Sequence, residues 1–297
     1  MGNEHPHHHH VEPEVNKAFF RAIILNIAFV LIEAVFGFLN NSVGLLSDAG
    51  HNLGDVISLA LSAFAVKMSQ LRPTKKYTYG YRKTTVLVSL VNAIILLVTV
   101  GFIISESIRK IYEPQILNGL NVVIVAAIGV VINSFTAWLF IRHQNKDLNI
   151  KGAYLHLAAD ALVSIGVVVA GIVIMISGWY IVDALIGLVI ALVILYSTWN
   201  LLIESIKLSL DAVPKDISID KVSSMLMKVE GVQGIHHIHI WALSTNETAL
   251  TAHICVEDFS NMEQIKHDIK HILNDLEIHH STLEFEITTL QCEDNGC

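Results

Sequence analysis

Charged residues are scarce in this sequence. Only 15% of its 297 residues are charged and 53% are hydrophobic, whereas a typical soluble domain is about 25% charged. This composition excludes an ordinary soluble globular protein and is typical of a membrane protein. No nucleic-acid partner is expected.

Cysteine is also rare, with three residues in all. In a reducing cytoplasmic setting so few cysteines predict no disulfide framework, and whether the tail residues Cys292 and Cys297 bind metal stays open. The polar start MGNEHPHHHHVEPEVNK has no short apolar core and no small-residue cleavage site, so it predicts no cleavable signal. Its HPHHHH tract either collects metal on the cytoplasmic side or is partly an expression tag.

Long apolar runs fill the first two thirds of the chain. A helix needs about 20 apolar residues to cross a bilayer, and six segments meet that length. Together they predict a six-helix transmembrane domain over residues 17–203, after a His-rich tail at 1–16. The predicted spans are 18–39, 44–66, 84–104, 120–141, 153–176 and 181–203.

The distribution of Lys and Arg predicts the orientation of these spans. Residues 67–83, between spans two and three, include six Lys or Arg and no acidic residue, and residues 142–151 add three more. The first and fifth loops contain neither Lys nor Arg. We therefore place loops two and four in the cytoplasm, and an even number of spans places both termini there as well.

The composition changes near residue 204. Residues 204–297 have a net charge of −10, whereas the first 203 have +2. Period-3.6 and period-2 patterns predict a helix, two strands, a helix and a strand in that order, which is a small α+β domain with its helices on one face. We assign it to residues 204–290 and a Cys-containing tail to 291–297.

Two ionisable pairs interrupt the apolar spans. HNLGD places His51 four residues before Asp55 in span two, and HLAAD places His156 four residues before Asp160 in span five. Residues four apart share one face of a helix. A charged side chain at bilayer depth costs about 2.5–3.5 kcal/mol, so it needs a partner or a water-filled cavity.

If the two helix faces meet, they supply two imidazole nitrogens and two carboxylates. This set suits tetrahedral Zn²⁺ and tolerates other borderline divalent metals, whereas Ca²⁺ and Mg²⁺ favour more oxygen ligands. The alternative is that each pair only satisfies itself inside a helix bundle, which explains two matched copies less well. Asn and Ser residues extend the polar faces and favour helix packing, but whether Glu33 and Asp48 line an ion path stays open.

The stretch NNSVGLLSDAGHNLGDVISLALSAFAVKMSQLRPTKKYTYGYRKTTVLVSLVNA, together with YLHLAADALVSIGVVVAG and the six-span plan, resembles the cation diffusion facilitator family. Within it, the chain is similar to the zinc branch of cobalt–zinc–cadmium resistance proteins and vesicular zinc transporters. The resemblance implies a homodimeric antiporter of the bacterial cytoplasmic membrane with a metallochaperone-like cytoplasmic domain. Its implied transport-site ligands are His51, Asp55, His156 and Asp160.

The resemblance also implies metal sites in the cytoplasmic domain, at His236, His253, His279 and Glu286, with His239 and His280 as substitutes for their neighbours. Strand alternation separately predicts His237 and His239 on one face and His236 on the other. The alternative is a set of surface histidines on an acidic domain. Relatives with histidines between spans two and three hold a further metal there, but this loop has none, so no site is predicted in it.

The resulting hypothesis is efflux of Zn²⁺, with Cd²⁺ and Co²⁺ as further candidates, in exchange for protons. The metal is the substrate and a candidate cytoplasmic ligand, and no cofactor is expected. An enzyme is not expected, because HExxH is absent and no nucleophile lies beside the His–Asp pairs. A membrane metal sensor, a metal-stabilised scaffold and a passive channel remain as alternatives.

Overall fold

The computed structural model describes residues 13–39, 43–113, 119–145, 147–179 and 181–287. The side chains of residues 43–51, which include Asp48 and His51, are not among those described. The HPHHHH tract and the two tail cysteines also lie outside the described residues. The chain divides into two compact units, residues 1–203 and 204–297.

The first unit consists of long helices. Five of them contain segments that are long and apolar enough to cross a membrane, by length and composition, in the part of the chain that was described. The second helix, which includes the HNLGD motif, is not among the five, although it is 27 residues long. The helices are α1 (Pro13–Leu39), α2 (Val43–Ser69), α3 (Thr84–Tyr112), α4 (Gly119–Phe140), α5 (Leu148–Ser177) and α6 (Ile181–Ser209).

Apolar contacts hold α1, α2, α4 and α5 together. The rings of Phe19 and Phe140 meet edge to face with their centroids 4.9 Å apart, and the buried residues Leu59 and Leu157 belong to the same core cluster. Helix α3 packs against both α2 and α5. A separate cluster joins α3, α5 and α6 through Val100, Ala159, Ala191 and Ile194.

Local hydrogen bonds define where α5 begins. The Asp147 carboxylate accepts from the backbone N–H groups of Asn149, at 2.7 Å, and Ile150, at 3.3 Å. These are helix-end donors that have no partner within the helix, so a carboxylate is favoured there. The start of α5 fixes the rotational position of His156 and Asp160 two to three turns later.

The second unit has the predicted αββαβ order, with α7 (Ile219–Leu226), β1 (Val232–Ala242), β2 (Thr248–Val256), α8 (Met262–Asp275) and β3 (His280–Ile287). Its sheet has the order β1-β2-β3, antiparallel between β1 and β2 and parallel between β2 and β3. One face of β2 packs against both helices through Leu250, Ala252, Ile254 and Val256. Since side chains alternate along a strand, Thr251, His253 and Cys255 belong to the opposite face.

The buried face of α8 predicts a large effect on stability. Ile269 is completely buried in the core of the second unit, so Ile269→Ala should lower its free energy of unfolding by about 2–5 kcal/mol. Hydrogen exchange of the β2 amides in the full-length protein measures this change. Met227→Ala, at an exposed position, serves as the control and should shift the value by about 0.5 kcal/mol or less. Equal effects of the two substitutions would contradict this packing.

Candidate metal centres

Three ionisable side chains of the first unit meet between α2 and α5. The His156 Nε2 atom lies 2.6 Å from Asp55 Oδ1 and 3.8 Å from Asp160 Oδ2. One ligand atom from each residue lies within 4.8 Å of the other two. The exposed fractions are 3% for Asp55, 3% for His156 and 9% for Asp160. The structure therefore brings together three of the four residues for which the sequence predicts a transport site.

Helix geometry positions these side chains. His156 and Asp160 are four residues apart in α5, so they lie on the same face, and α5 packs directly against α2. Asp55 reaches His156 across this helix contact. Its partner in the HNLGD motif, His51, precedes it by one turn of α2, but the His51 side chain is outside the described residues. Its participation stays a prediction.

The chemistry of this cluster favours a cation. Two carboxylates share a buried space with one imidazole, and the Asp160 Oδ2 atom has no hydrogen-bond donor among the described residues. Burying a carboxylate without compensation is costly, because the low-dielectric interior replaces water. A divalent cation bound among these atoms would neutralise both carboxylates and use the imidazole nitrogen as a ligand.

A third buried acid, Glu33, lies between α1 and α2. The Asn52 amide donates a hydrogen bond of 2.6 Å to Glu33 Oε2, and both residues are buried. Asn52 immediately follows His51 in the sequence. The structure thus places Glu33 at the α1–α2 contact, next to the helix turn that contains the predicted ligands.

The second unit contains a separate group of potential ligands on its sheet. The His253 Nδ1 atom lies 2.5 Å from Glu286 Oε1, and His236 Nε2 lies 3.1 Å from Glu286 Oε2. The hydrogen bond from His253, reinforced by the one from His236, lowers the pKa of the Glu286 carboxyl below its ordinary value against the opposing effect of burial. Glu286 is therefore ionised at neutral pH and able to bind a cation.

His237 joins this group, although the sequence pattern does not predict it as a ligand. Its Nδ1 atom lies 2.8 Å from the Nδ1 atom of His236, and His236, His237 and His253 form a candidate set of metal ligands. The prediction that His236 and His237 occupy opposite faces is wrong. The pairing register of β1 shifts between His236 and His239, and His237 has a φ of 48°. This irregularity interrupts the alternation of side chains.

The other predicted cytoplasmic ligands lie elsewhere. His239 is exposed and lines a surface cavity of about 430 Å³ with Asp211 and Trp241. His279 is exposed and its Nδ1 atom lies 2.8 Å from Asn274 Oδ1. Neither belongs to a ligand cluster among the residues that the structure describes. Glu284, in contrast, lies near His253, with 3.6 Å between its Oε2 atom and His253 Nε2.

Cys255 also lies on this face, within reach of His236 and Glu286. The thiolate is the form of cysteine that binds metals, so a Cys255 thiolate would add a sulfur ligand to this group.

Two sequence models of known families match the chain. The cation efflux transmembrane domain matches residues 19–208, and the cation efflux protein cytoplasmic domain matches residues 214–287. The metal-bound C-terminal domain of the CzcD transporter from Cupriavidus metallidurans, a solved structure, covers 24% of this chain and 99% of its own at 26% identity. Its TM-score of 0.23 is too low to support an argument about the fold.

Full-length relatives match nearly the whole chain. A cadmium, cobalt and zinc/H(+)-K(+) antiporter from Bacillus velezensis is 32% identical over 94% of this chain and 91% of its own length. The metal cation efflux system protein CzcD of Cupriavidus metallidurans is 32% identical over 99% and 93% of the two chains. The zinc transporter ZitB of Escherichia coli is 32% identical over 96% and 93%. The chain is therefore a multi-pass membrane protein that belongs to the cation efflux, or cation diffusion facilitator, family.

Proposed function

We propose that this protein exports divalent cations, chiefly Zn²⁺, from the cytoplasm in exchange for protons. The observation that carries the proposal is the buried meeting of Asp55, His156 and Asp160 inside the transmembrane unit. His51 is proposed as the fourth ligand. The named functions of the relatives, which include a zinc transporter and an antiporter that uses H⁺, support the same conclusion.

The ligands themselves provide a way to couple metal to protons. Metal binding requires a neutral imidazole and ionised carboxylates, so a metal ion and protons compete for the same atoms. An unperturbed histidine has a pKa of about 6.5, so imidazole is a side chain that can exchange a proton near ambient pH. The site loads Zn²⁺ when it faces the cytoplasm and releases it on the other side as protons bind. The protons then return with the empty site.

Orientation and assembly follow from the loop charges and the family. Loops two and four, which are rich in Lys and Arg, are proposed to face the cytoplasm, together with both termini and the α+β unit. We propose a homodimer in the bacterial cytoplasmic membrane. It acts as a transporter without enzymatic chemistry, and the metal is its substrate.

The competing functions predict different fluxes. A passive channel would carry metal through the same ligands without moving protons. A sensor or a metal-stabilised scaffold would bind metal in the cytoplasmic unit without flux. Neither scaffold nor sensor accounts for three ligating groups buried between α2 and α5. Antiport accounts for them because each group also accepts protons.

Transport should depend on Asp160. In proteoliposomes containing the purified protein, Zn²⁺ entry should raise the internal pH, because protons leave in exchange. Asp160→Ala should lower the Zn²⁺ flux by about a hundredfold, because one ligand and its charge are lost. Fluorescent indicators for Zn²⁺ and pH measure both. Glu106→Gln removes an exposed carboxylate that pairs with Arg109 in α3 and should leave the flux unchanged. Full-rate transport by Asp160→Ala would refute the site.

Metal preference should follow the donor atoms. Replacing both nitrogens with oxygens, in the double variant His51→Asp and His156→Asp, should raise the ratio of Mn²⁺ to Zn²⁺ transport by about tenfold, since harder cations prefer oxygen ligands. The same flux assay with each metal measures the ratio. An unchanged ratio would count against the proposed ligand set.

The cytoplasmic group is proposed to bind Zn²⁺ through His236, His237, His253 and Glu286. In a protein that already contains Asp160→Ala, His237→Ala should weaken Zn²⁺ binding by at least about tenfold, since loss of even an outer-shell partner of a metal site costs about 10–100-fold in affinity. The exposed His239→Ala is the matched control and should have little effect. Isothermal titration calorimetry measures both affinities, and equal losses would show that the β1 irregularity does not create the site.

A further inference from the structure

A buried polar face of α2 continues from the proposed transport site toward the loop formed by residues 70–83. Ser58 and Ser62 follow Asp55 by three and seven residues, so all three lie on one side of the helix. Both serines are buried. At 1.5 Å per residue, Ser62 lies about 10 Å further along the helix axis than Asp55. Small polar residues alone would indicate only helix packing.

Asn92 of α3 supplies a second, independent observation. Its amide nitrogen donates a hydrogen bond of 2.6 Å to Ser62 Oγ, and the residue is only 5% exposed. In the described structure its Oδ1 atom has no hydrogen-bond partner, and neither has Ser58 Oγ. Buried polar atoms are nearly always satisfied by protein or water. Oxygens that are buried here without a protein donor therefore point to water or a ligand as their partner.

These atoms share a cavity with the proposed metal ligand His156. Ser58, Ser62 and Asn92 line one part of it, and His156 and Gly152 of α5 line another. Its volume is about 10 Å³, which is room for about one water molecule and too little for a hydrated cation. In this conformation the cavity therefore contacts the proposed ligand His156 but is too small for an ion to pass through it.

The polar face extends along α3 beyond the cavity. Ser89 and Thr85 precede Asn92 by three and seven residues and are buried on the same side of the helix. The Thr85 carbonyl accepts a hydrogen bond of 3.0 Å from the side chain of Asn149, whose Oδ1 atom has no partner in the described part of the chain. Since α3 begins at Thr84, this face ends directly beside the 70–83 loop.

We propose that Ser58, Ser62 and Asn92 form the passage through which the divalent cation moves between the 70–83 loop and the transport site, with Asn92 as its main oxygen contact. The inference rests on the proposed function. Each oxygen replaces a water of hydration as the ion advances. The oxygens are neutral, so they attract a cation weakly enough to release it toward the two carboxylates, as conduction requires.

Asn133 offers a matched control in the same unit. It lies in α4 and is 1% exposed, and its Oδ1 atom also lacks a partner among the described residues. It does not line the cavity beside His156. Replacing Asn133 should therefore disturb helix packing to the same degree as replacing Asn92, but it should not affect the passage.

The test compares transport rate with equilibrium binding in the full-length protein. Asn92→Leu should lower the initial Zn²⁺ flux into proteoliposomes by about tenfold, because a step on the path loses its ligand. The Zn²⁺ affinity of the transport site should change by less than about threefold, measured by calorimetry in protein that also contains His237→Ala and His253→Ala so that the cytoplasmic group does not bind. Asn92→Ser supplies a hydroxyl oxygen in place of the amide oxygen and should recover part of the rate. Asn133→Leu should leave the flux unchanged.

Three results would overturn the passage: normal flux in Asn92→Leu, equal loss of flux in Asn92→Leu and Asn133→Leu, or loss of Zn²⁺ affinity in parallel with flux. Equilibrium binding also reports whether each variant is folded. Asp160→Ala separates this inference from the proposed function. If Asp160→Ala binds and transports normally, the transport site itself is wrong, whereas normal flux in Asn92→Leu with inactive Asp160→Ala refutes the passage alone.

Discussion

The cost of placing charge in a low-dielectric interior governs this structure. Asp55 and Asp160 are buried where apolar helices surround them, and His156 lies between them. Two carboxylates and one imidazole leave an excess of negative charge that must be balanced by a metal ion or by protons. Because either can balance it, the same energetic constraint that makes an empty site unfavourable would link metal movement to proton movement in the proposed antiport.

The packing of α2 against α5 brings Asp55 of one sequence motif to the His156–Asp160 pair of the other. Each His–Asp pair lies on one helix face, but a single pair offers too few ligands for tetrahedral zinc. Helix α1 contributes by holding Glu33 against Asn52, beside the same turn of α2, and Asp147 sets where α5 begins. The site therefore depends on the helix contacts as much as on the ligands.

The candidate cation sites of the two units differ in their surroundings. In the transmembrane unit Asp55, His156 and Asp160 are almost fully buried, and Ser58 and Asn92 line a small cavity beside His156. In the cytoplasmic unit His236, His237 and His253 cluster on the sheet, and the helices pack against the face of β2 opposite His253. A buried charged site with a neutral approach suits transient passage, whereas an accessible imidazole group suits exchange with the cytoplasm.

The sequence by itself determined the long helices, the αββαβ order and the pairing of His156 with Asp160, because helical and strand periods are local properties of the chain. It could not determine what depends on contacts between distant segments. The approach of Asp55 to His156 and of Asn92 to Ser62 required the packing of α2 against α5 and α3. Likewise, His237 joined His236 only because β1 departs from regular pairing with β2, and strand alternation contains no signal for such an irregularity.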